Sequence, residues 1–201
     1  MNTSLLVDVF VTVLVIMDPL GSTPIFLSLT RGQSQGERAR SALQAASVAA
    51  VVILVFALFG EQLIDMLGIS LEALQVAGGL LLLVVALELF HGSEEETMKA
   101  TGANVALVPL GTPLLAGPGA IATAMLFMRR SDDWGERGTV VVGLLGVLAV
   151  VFLALRFSTV IARVLKPNAI HLVSRILGLL VAAIGVQLVA TAIEHWVDFG
   201  V

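Results

Sequence analysis

The sequence predicts an all-α membrane protein of six transmembrane helices in two inverted three-helix repeats, with spans one and four interrupted. Three observations predict it. The chain of 201 residues is 58% hydrophobic and 13% charged, with a mean hydropathy of +1.02, a composition outside the soluble globular class. Six apolar stretches, roughly 5–29, 42–64, 69–91, 104–128, 139–162 and 170–197, each approach or exceed the ~20 residues that cross a hydrocarbon core. Shifted by 99 residues, the chain meets itself: Pro19 falls on Pro118, Arg31 on Arg130, Gly36-Glu37-Arg38 on Gly135-Glu136-Arg137, Gly79 on Gly178 and Glu88 on Gln187. Shared hydrophobicity does not align Pro, Gly and charged residues, so 1–99 and 100–201 read as duplicated units. Three spans per unit is an odd number, which turns the second unit upside down relative to the first, as in many secondary transporters.

Span one is broken by Asp18-Pro19-Leu20-Gly21-Ser22-Thr23-Pro24. Proline removes a backbone donor and glycine loosens the helix, leaving polar groups that hydrocarbon cannot satisfy. Asp18 lies near the middle of the span, where an ionisable group costs ~2.5–3.5 kcal/mol on insertion scales and marks a functional site by default. It also suits an N-cap, with Pro19 at the favoured first helical position, and the two roles are compatible. The amides of Gly21, Ser22 and Thr23 then stand at a half-helix start, whose positive dipole end favours an anion. The run before the break lacks a basic leader and a cleavage pattern, and reads as a retained span.

Span three carries Gly78-Gly79, and spans five and six carry Gly143-x-x-Gly146 and Gly178-x-x-x-Ala182, all patterns that let helix backbones approach closely. Glu88, within a turn of His91, reads as an interfacial or snorkelling carboxylate rather than a coupling site. Glu94-Glu95-Glu96 reads as a solvated acidic turn. Span four is broken by Pro109-Leu-Gly-Thr-Pro-Leu-Leu-Ala-Gly-Pro-Gly119, at a depth similar to the first break. Gly117, Gly119 and Ala120 offer amides from the opposite side to Gly21. Thr123, and Gln75 in span three, are placed to reach a central cavity or to bond between helices. Two opposed helix starts suit a carboxylate, and the unwound carbonyls beside them an ammonium or small cation, so a zwitterion fits both. The side chains around them are very small, which matches glycine or alanine.

Arg31, Arg38, Arg40, Lys99, Arg156, Arg163, Lys166 and Arg175 belong to one side of the membrane and only Arg129, Arg130 and Arg137 to the other. The positive-inside rule therefore predicts cytoplasmic loops after spans one, three and five and non-cytoplasmic termini. The loops are too short for a separate soluble domain. There is no cysteine, and the motifs H-E-x-x-H, G-x-S-x-G and the P-loop are missing. His91, His171 and His195 lack metal-ligand spacing. An enzyme, a metal site, a cofactor and a nucleic-acid partner are thus not expected. The partners expected are a small-molecule substrate, a coupling H+ or Na+, and the lipid bilayer.

Asp18-Pro19-Leu20-Gly21 with Pro24-Ile25-Phe26, then Gly68-Ile69 leading to Leu74-Gln75-Val76-Ala77-Gly78-Gly79, then Pro113-Leu114-Leu115-Ala116-Gly117-Pro118-Gly119-Ala120-Ile121 resemble the MarC family of bacterial and archaeal inner-membrane proteins. The resemblance covers essentially the whole chain. It implies a transporter of small neutral amino acids such as glycine and alanine, coupled to a cation gradient. Two positions depart from the family pattern: Ser22 stands where Asn is common, and Gly111-Thr112 replaces Ala and an aliphatic residue. The expected substrate-binding residues are Asp18, Gly21, Ser22, Thr23, Gly117, Gly119, Ala120 and Thr123. An ion channel using the same carbonyls, or a non-transporting membrane scaffold, are the competing readings.

Overall fold

The computed structural model describes residues 2–91, 115–131, 133–165 and 167–199. Among them are eight helices and no strand: α1 (Thr3–Met17), α2 (Ser22–Leu29), α3 (Gln35–Met66), α4 (Leu71–His91), α5 (Pro118–Arg129), α6 (Trp134–Arg156), α7 (Ser158–Val164) and α8 (Pro167–Phe199). Four helices, α3, α4, α6 and α8, are long and apolar enough to cross a membrane, and the bent pair α1–α2 makes a fifth candidate. Many Val, Leu, Ile and Phe side chains are exposed along these helices, the surface that a lipid-facing bundle requires and a soluble protein avoids.

Several helix ends have a local cause. Span one breaks where expected: α1 stops at Met17, Asp18 adopts a left-handed conformation (φ 34°, ψ 70°), and α2 leaves at 50° to α1. Proline at 19 disfavours the helical region for residue 18. Asp is among the few residues that tolerate the left-handed alternative. Helix α3 begins in a capping box, with the Glu37 amide on Ser34 Oγ (3.3 Å) and the Ser34 amide on Glu37 Oε2 (2.8 Å). It ends in a Schellman turn at Gly68 (φ 66°), where the Ile69 amide reaches Ile64 O and the Gly68 amide reaches Asp65 O. Asp133 caps α6 through the Glu136 amide (2.7 Å).

One span differs from expectation. The stretch 139–162 was expected to be continuous, but α6 ends at Arg156 and a separate short helix, α7, follows Phe157. No Pro or Gly marks this break. Across it Thr159 Oγ1 accepts Arg38 Nη1 at 2.9 Å, a contact between chain segments 121 residues apart. Of the stretch 104–128, residues 115–128 are described and α5 accounts for their apolar part. Pro109, Gly111, Thr112, Pro113, Leu114, Glu94-Glu95-Glu96, Lys99 and Lys166 lie outside the described residues.

The core is a bundle in which α1 packs on α6, α3 on α5 and α6, and α4 on α5 and, most extensively, on α8. The glycine pairs explain the close approaches. A Cβ at Gly143 would sit 2.8 Å from Val9 Cγ1, so the Val9 side chain of α1 packs directly onto the bare backbone of α6. Helices α4 and α8 run antiparallel: a Cβ at Gly79 would lie 2.5 Å from Gly185 O and 2.7 Å from Val189 Cγ2. One at Gly178 would lie 3.3 Å from Ala86 O and 3.6 Å from Phe90 Cδ2. Any side chain at Gly79 would push the pair apart.

The two ends of the bundle are tied differently. At one, Arg137 Nη2 meets Glu61 Oε2 (2.9 Å) while Arg129 Nη1 bridges Glu61 Oε1 (3.2 Å) and Asp65 Oδ1 (2.8 Å), joining α3, α5 and α6. At the other, Arg38 reaches only neutral acceptors, Thr159 Oγ1 and, at 3.4 Å, Thr30 O. Glu88 is exposed on α4, in keeping with an interfacial carboxylate.

Candidate functional site

The first break folds its own amides inward. Asp18 Oδ1 accepts the Gly21 amide (3.0 Å), Asp18 O accepts the Ser22 amide (3.0 Å), and Leu20 O accepts the Thr23 amide (3.2 Å). Thr23 Oγ1 donates to Pro19 O at 2.9 Å and Ser22 Oγ to Met17 O at 3.5 Å. Asp18 was expected as the N-cap of the restarting helix with Pro19 as its first residue; α2 instead starts at Ser22 with Gly21 at the N-cap position, and Asp18, the C-cap of α1, closes the turn between the two helices through the Gly21 amide. Its second oxygen, Oδ2, is left buried with no partner, on a residue only 3% exposed. Gly21 is required here for space: a Cβ would run into Asp18 Oδ2 and come within 2.8 Å of Ser174 Oγ.

The second break is open by comparison. Gly117 (φ −60°, ψ 159°) precedes Pro118, the first residue of α5. The Ile121 amide closes on Gly117 O at 3.1 Å. The amides of Gly119 and Ala120, both buried, have no partner among the described residues. Thr123, one turn along the helix, has a buried hydroxyl without a partner. At Gly119 a Cβ would lie 2.7 Å from Leu82 Cδ2 of α4 and 3.7 Å from Ile16 Cγ2 of α1. Ile16 is two residues before Asp18, so the start of α5 stands beside the first break.

Two helices thus begin side by side inside an apolar bundle, flanked by α4 and α8. Four buried side-chain oxygens without partners lie on the break and on the helices packed against it: Asp18 Oδ2, Gln75 Oε1 on α4, Thr123 Oγ1 on α5 and Ser174 Oγ on α8, of which Asp18 Oδ2 and Ser174 Oγ share the space beside Gly21. Unpaired buried polar groups are costly, and four on the elements around one place require a reason. The site combines acceptors around Asp18 with free N–H donors at the start of α5, the equipment for holding a small molecule with a charge of each sign. Among the described residues no group of three or more His, Asp or Glu could hold a metal ion.

The structure brings Asp18 and Gly21 together and sets Gly119 beside Ile16 and Leu82; Ser22 and Thr23 lie in the first turn of α2, Ala120 in the first turn of α5 and Thr123 in its second. Sequence reasoning missed Ser174. A signal for it existed, because Ser174 stands 99 residues after Gln75, but a serine in an apolar helix carries little weight by itself.

Residues 3–197 match the MarC family, described as an integral membrane protein family. The chain is 33% identical to the UPF0056 membrane protein MJ1677 of Methanocaldococcus jannaschii, over 92% of this chain and 94% of that one. It is 30% identical to the UPF0056 membrane protein YvbG of Bacillus subtilis, over 96% of each chain. It is 28% identical to the UPF0056 membrane protein YhcE of Escherichia coli, over 92% of this chain and 90% of that one. No solved structure matches.

Proposed function

We propose that this chain, which belongs to the MarC family of integral membrane proteins, is a secondary transporter of small neutral amino acids such as glycine or alanine, coupled to H+ or Na+ and working by alternating access. The observation that carries this reading is the pair of adjoining helix starts with buried, unsatisfied polar atoms around them. Irregular backbone at such depth is tolerated where it is buried in protein or lines a water-filled cavity, and interrupted helices in corresponding halves are the pointer to a transporter site. Asp18, Gly21, Ser22, Thr23, Gly117, Gly119, Ala120 and Thr123 form that site in this reading, with Asp18 as cap and as the group that meets a cation or ammonium.

Rocking about such a site needs two comparable halves, and several contacts support residues 1–99 and 100–201 as inverted three-span repeats. Adding 99 to each residue number turns the Gly79–Gly185 and Gly79–Val189 approaches into a partner set: Gly79 becomes Gly178, while Ala86 becomes Gly185 and Phe90 becomes Val189. The two contacts exchange, as a two-fold axis between α4 and α8 requires. Their antiparallel course is what inversion requires, since a parallel repeat would set Gly79 against Gly178. The caps agree, Ser34 and Asp133 being 99 residues apart, as are Arg38 and Arg137, of which Arg137 reaches Glu61 near the end of α3 and Arg38 reaches Thr159 on the short helix that follows α6.

The decisive experiment is uptake of radiolabelled glycine into proteoliposomes of the full chain under imposed Na+ or pH gradients. Saturable uptake that shows counterflow is expected. Unitary conductance without counterflow would replace the transporter with a channel, and neither flux nor ligand binding would leave a scaffold. The proposed orientation is tested by labelling cysteines placed at Gln33 and Asp198, with Gln33 expected to react from the cytoplasm and Asp198 from outside.

A further inference from the structure

We infer that Ser174 on α8 is a specificity-determining contact of this site, taking with Asp18 Oδ2 the primary ammonium of a zwitterion whose carboxylate lies on the start of α5. The inference rests on the transporter reading and adds to it a residue, a polarity and a rule of selectivity. It begins from how the unsatisfied groups are sorted. On the side of α1 and α8 they are a carboxylate oxygen and a hydroxyl, Asp18 Oδ2 and Ser174 Oγ, with a further acceptor, Gln75 Oε1, on α4; on α5 they are the Gly119 and Ala120 amides and the Thr123 hydroxyl. A carboxylate repels a ligand carboxylate and attracts an ammonium, whereas paired N–H groups at a helix start attract an anion. The amides of α2 that might have competed for the carboxylate are already bonded within their own turn.

Ser174 is not explained by helix capping. It sits three turns before Gly185 inside a continuous helix, is only 8% exposed, and does not return its hydroxyl to its own helix. Its oxygen and Asp18 Oδ2 both lie against the position a Cβ on Gly21 would take, and neither has a hydrogen-bond partner. A donor reaching both oxygens would satisfy both, and an ammonium with three N–H groups is such a donor. N-methylation of the ligand would therefore remove a needed donor.

The test is isothermal titration of the purified full chain with glycine and with N,N-dimethylglycine, for wild type, Ser174→Ala and Ser174→Cys. Wild type is expected to bind glycine and to reject the dimethyl analogue. Either variant should weaken glycine about ten-fold, the loss of one hydrogen bond to a charged group, while leaving the analogue unchanged, so that discrimination falls by the same factor. Cysteine keeps the shape and replaces the hydroxyl with a weak hydrogen-bonding thiol, so it serves if alanine fails to fold. Equal weakening of both ligands would mean a structural role and overturn the inference, as would unchanged affinity for both. If wild type binds neither glycine nor alanine, the transporter reading falls first, before any variant is compared.

Discussion

The two helix starts share one residue in register, Pro19 with Pro118, and finish differently. At the first, Asp18 turns back over Gly21 and the next amides close on Asp18 and Leu20. At the second, the position 99 residues after Asp18 is Gly117, which has no side chain to cap with, and the Gly119 and Ala120 amides stay open. A single carboxylate makes the difference. The comparison teaches that backbone geometry and chemistry have been divided between the halves: the repeated proline marks two breaks, and the unrepeated residues decide what each break offers.

The largest effect should come from filling the open start. Gly119→Val places branched carbons where even a Cβ would lie 2.7 Å from Leu82 Cδ2. Overpacking of this kind costs about 1–3 kcal/mol. Glycine binding by titration is expected to vanish and the thermal midpoint of the detergent-solubilised protein to fall. Retained binding would mean that α5 does not line the site.

Asp18→Asn separates cap from charge at the closed start. Asn caps about as well as Asp, so Oδ1 should still accept the Gly21 amide and the protein should insert and fold with little change in stability. Cation-coupled uptake of glycine should be lost, while counterflow exchange falls less. Normal coupled uptake at every pH tested would reduce Asp18 to a cap and make the two starts functionally equivalent.

How far each half was legible from sequence follows from what carries the signal. The place of the first break was readable, because Asp18-Pro19 and Gly21 act through local sterics and capping, whereas the restart at Ser22, three residues beyond the expected Pro19, was not. The close approach of α4 and α8 was readable from Gly79 and Gly178, since small residues at helical spacing have few other uses in an apolar helix. The gap after Arg156 was not readable. It has no breaker of its own and comes with a contact from Arg38, 121 residues from Thr159, which no local pattern encodes. Ser174 was missed for the same reason, its meaning lying in Asp18 on another helix. The amides of Gly21, Ser22 and Thr23 were recognised as a helix start, but their engagement within the turn depends on how the Asp18 carboxyl folds.

The smallest effects should come from the ends of the bundle, where the halves also diverge. Glu61 and Asp65 bind Arg129 and Arg137 at one end, while the positions 99 residues later are Val160 and Val164, leaving Arg38 with neutral partners at the other. Both sets are partly exposed, and such pairs contribute about 0.2–1 kcal/mol each. Glu61→Gln removes the carboxylate shared by two arginines and is expected to lower stability by about 1 kcal/mol at low salt. Salt screens exposed pairs, so the deficit should shrink in 0.5 M NaCl. Thr159→Val removes a neutral acceptor and should cost about 0.5–1.5 kcal/mol with little salt dependence. Thermal unfolding of both variants at the two salt concentrations measures the contrast directly. If both losses respond to salt alike, the ends are held by the same kind of force and the difference between the halves is confined to the helix starts.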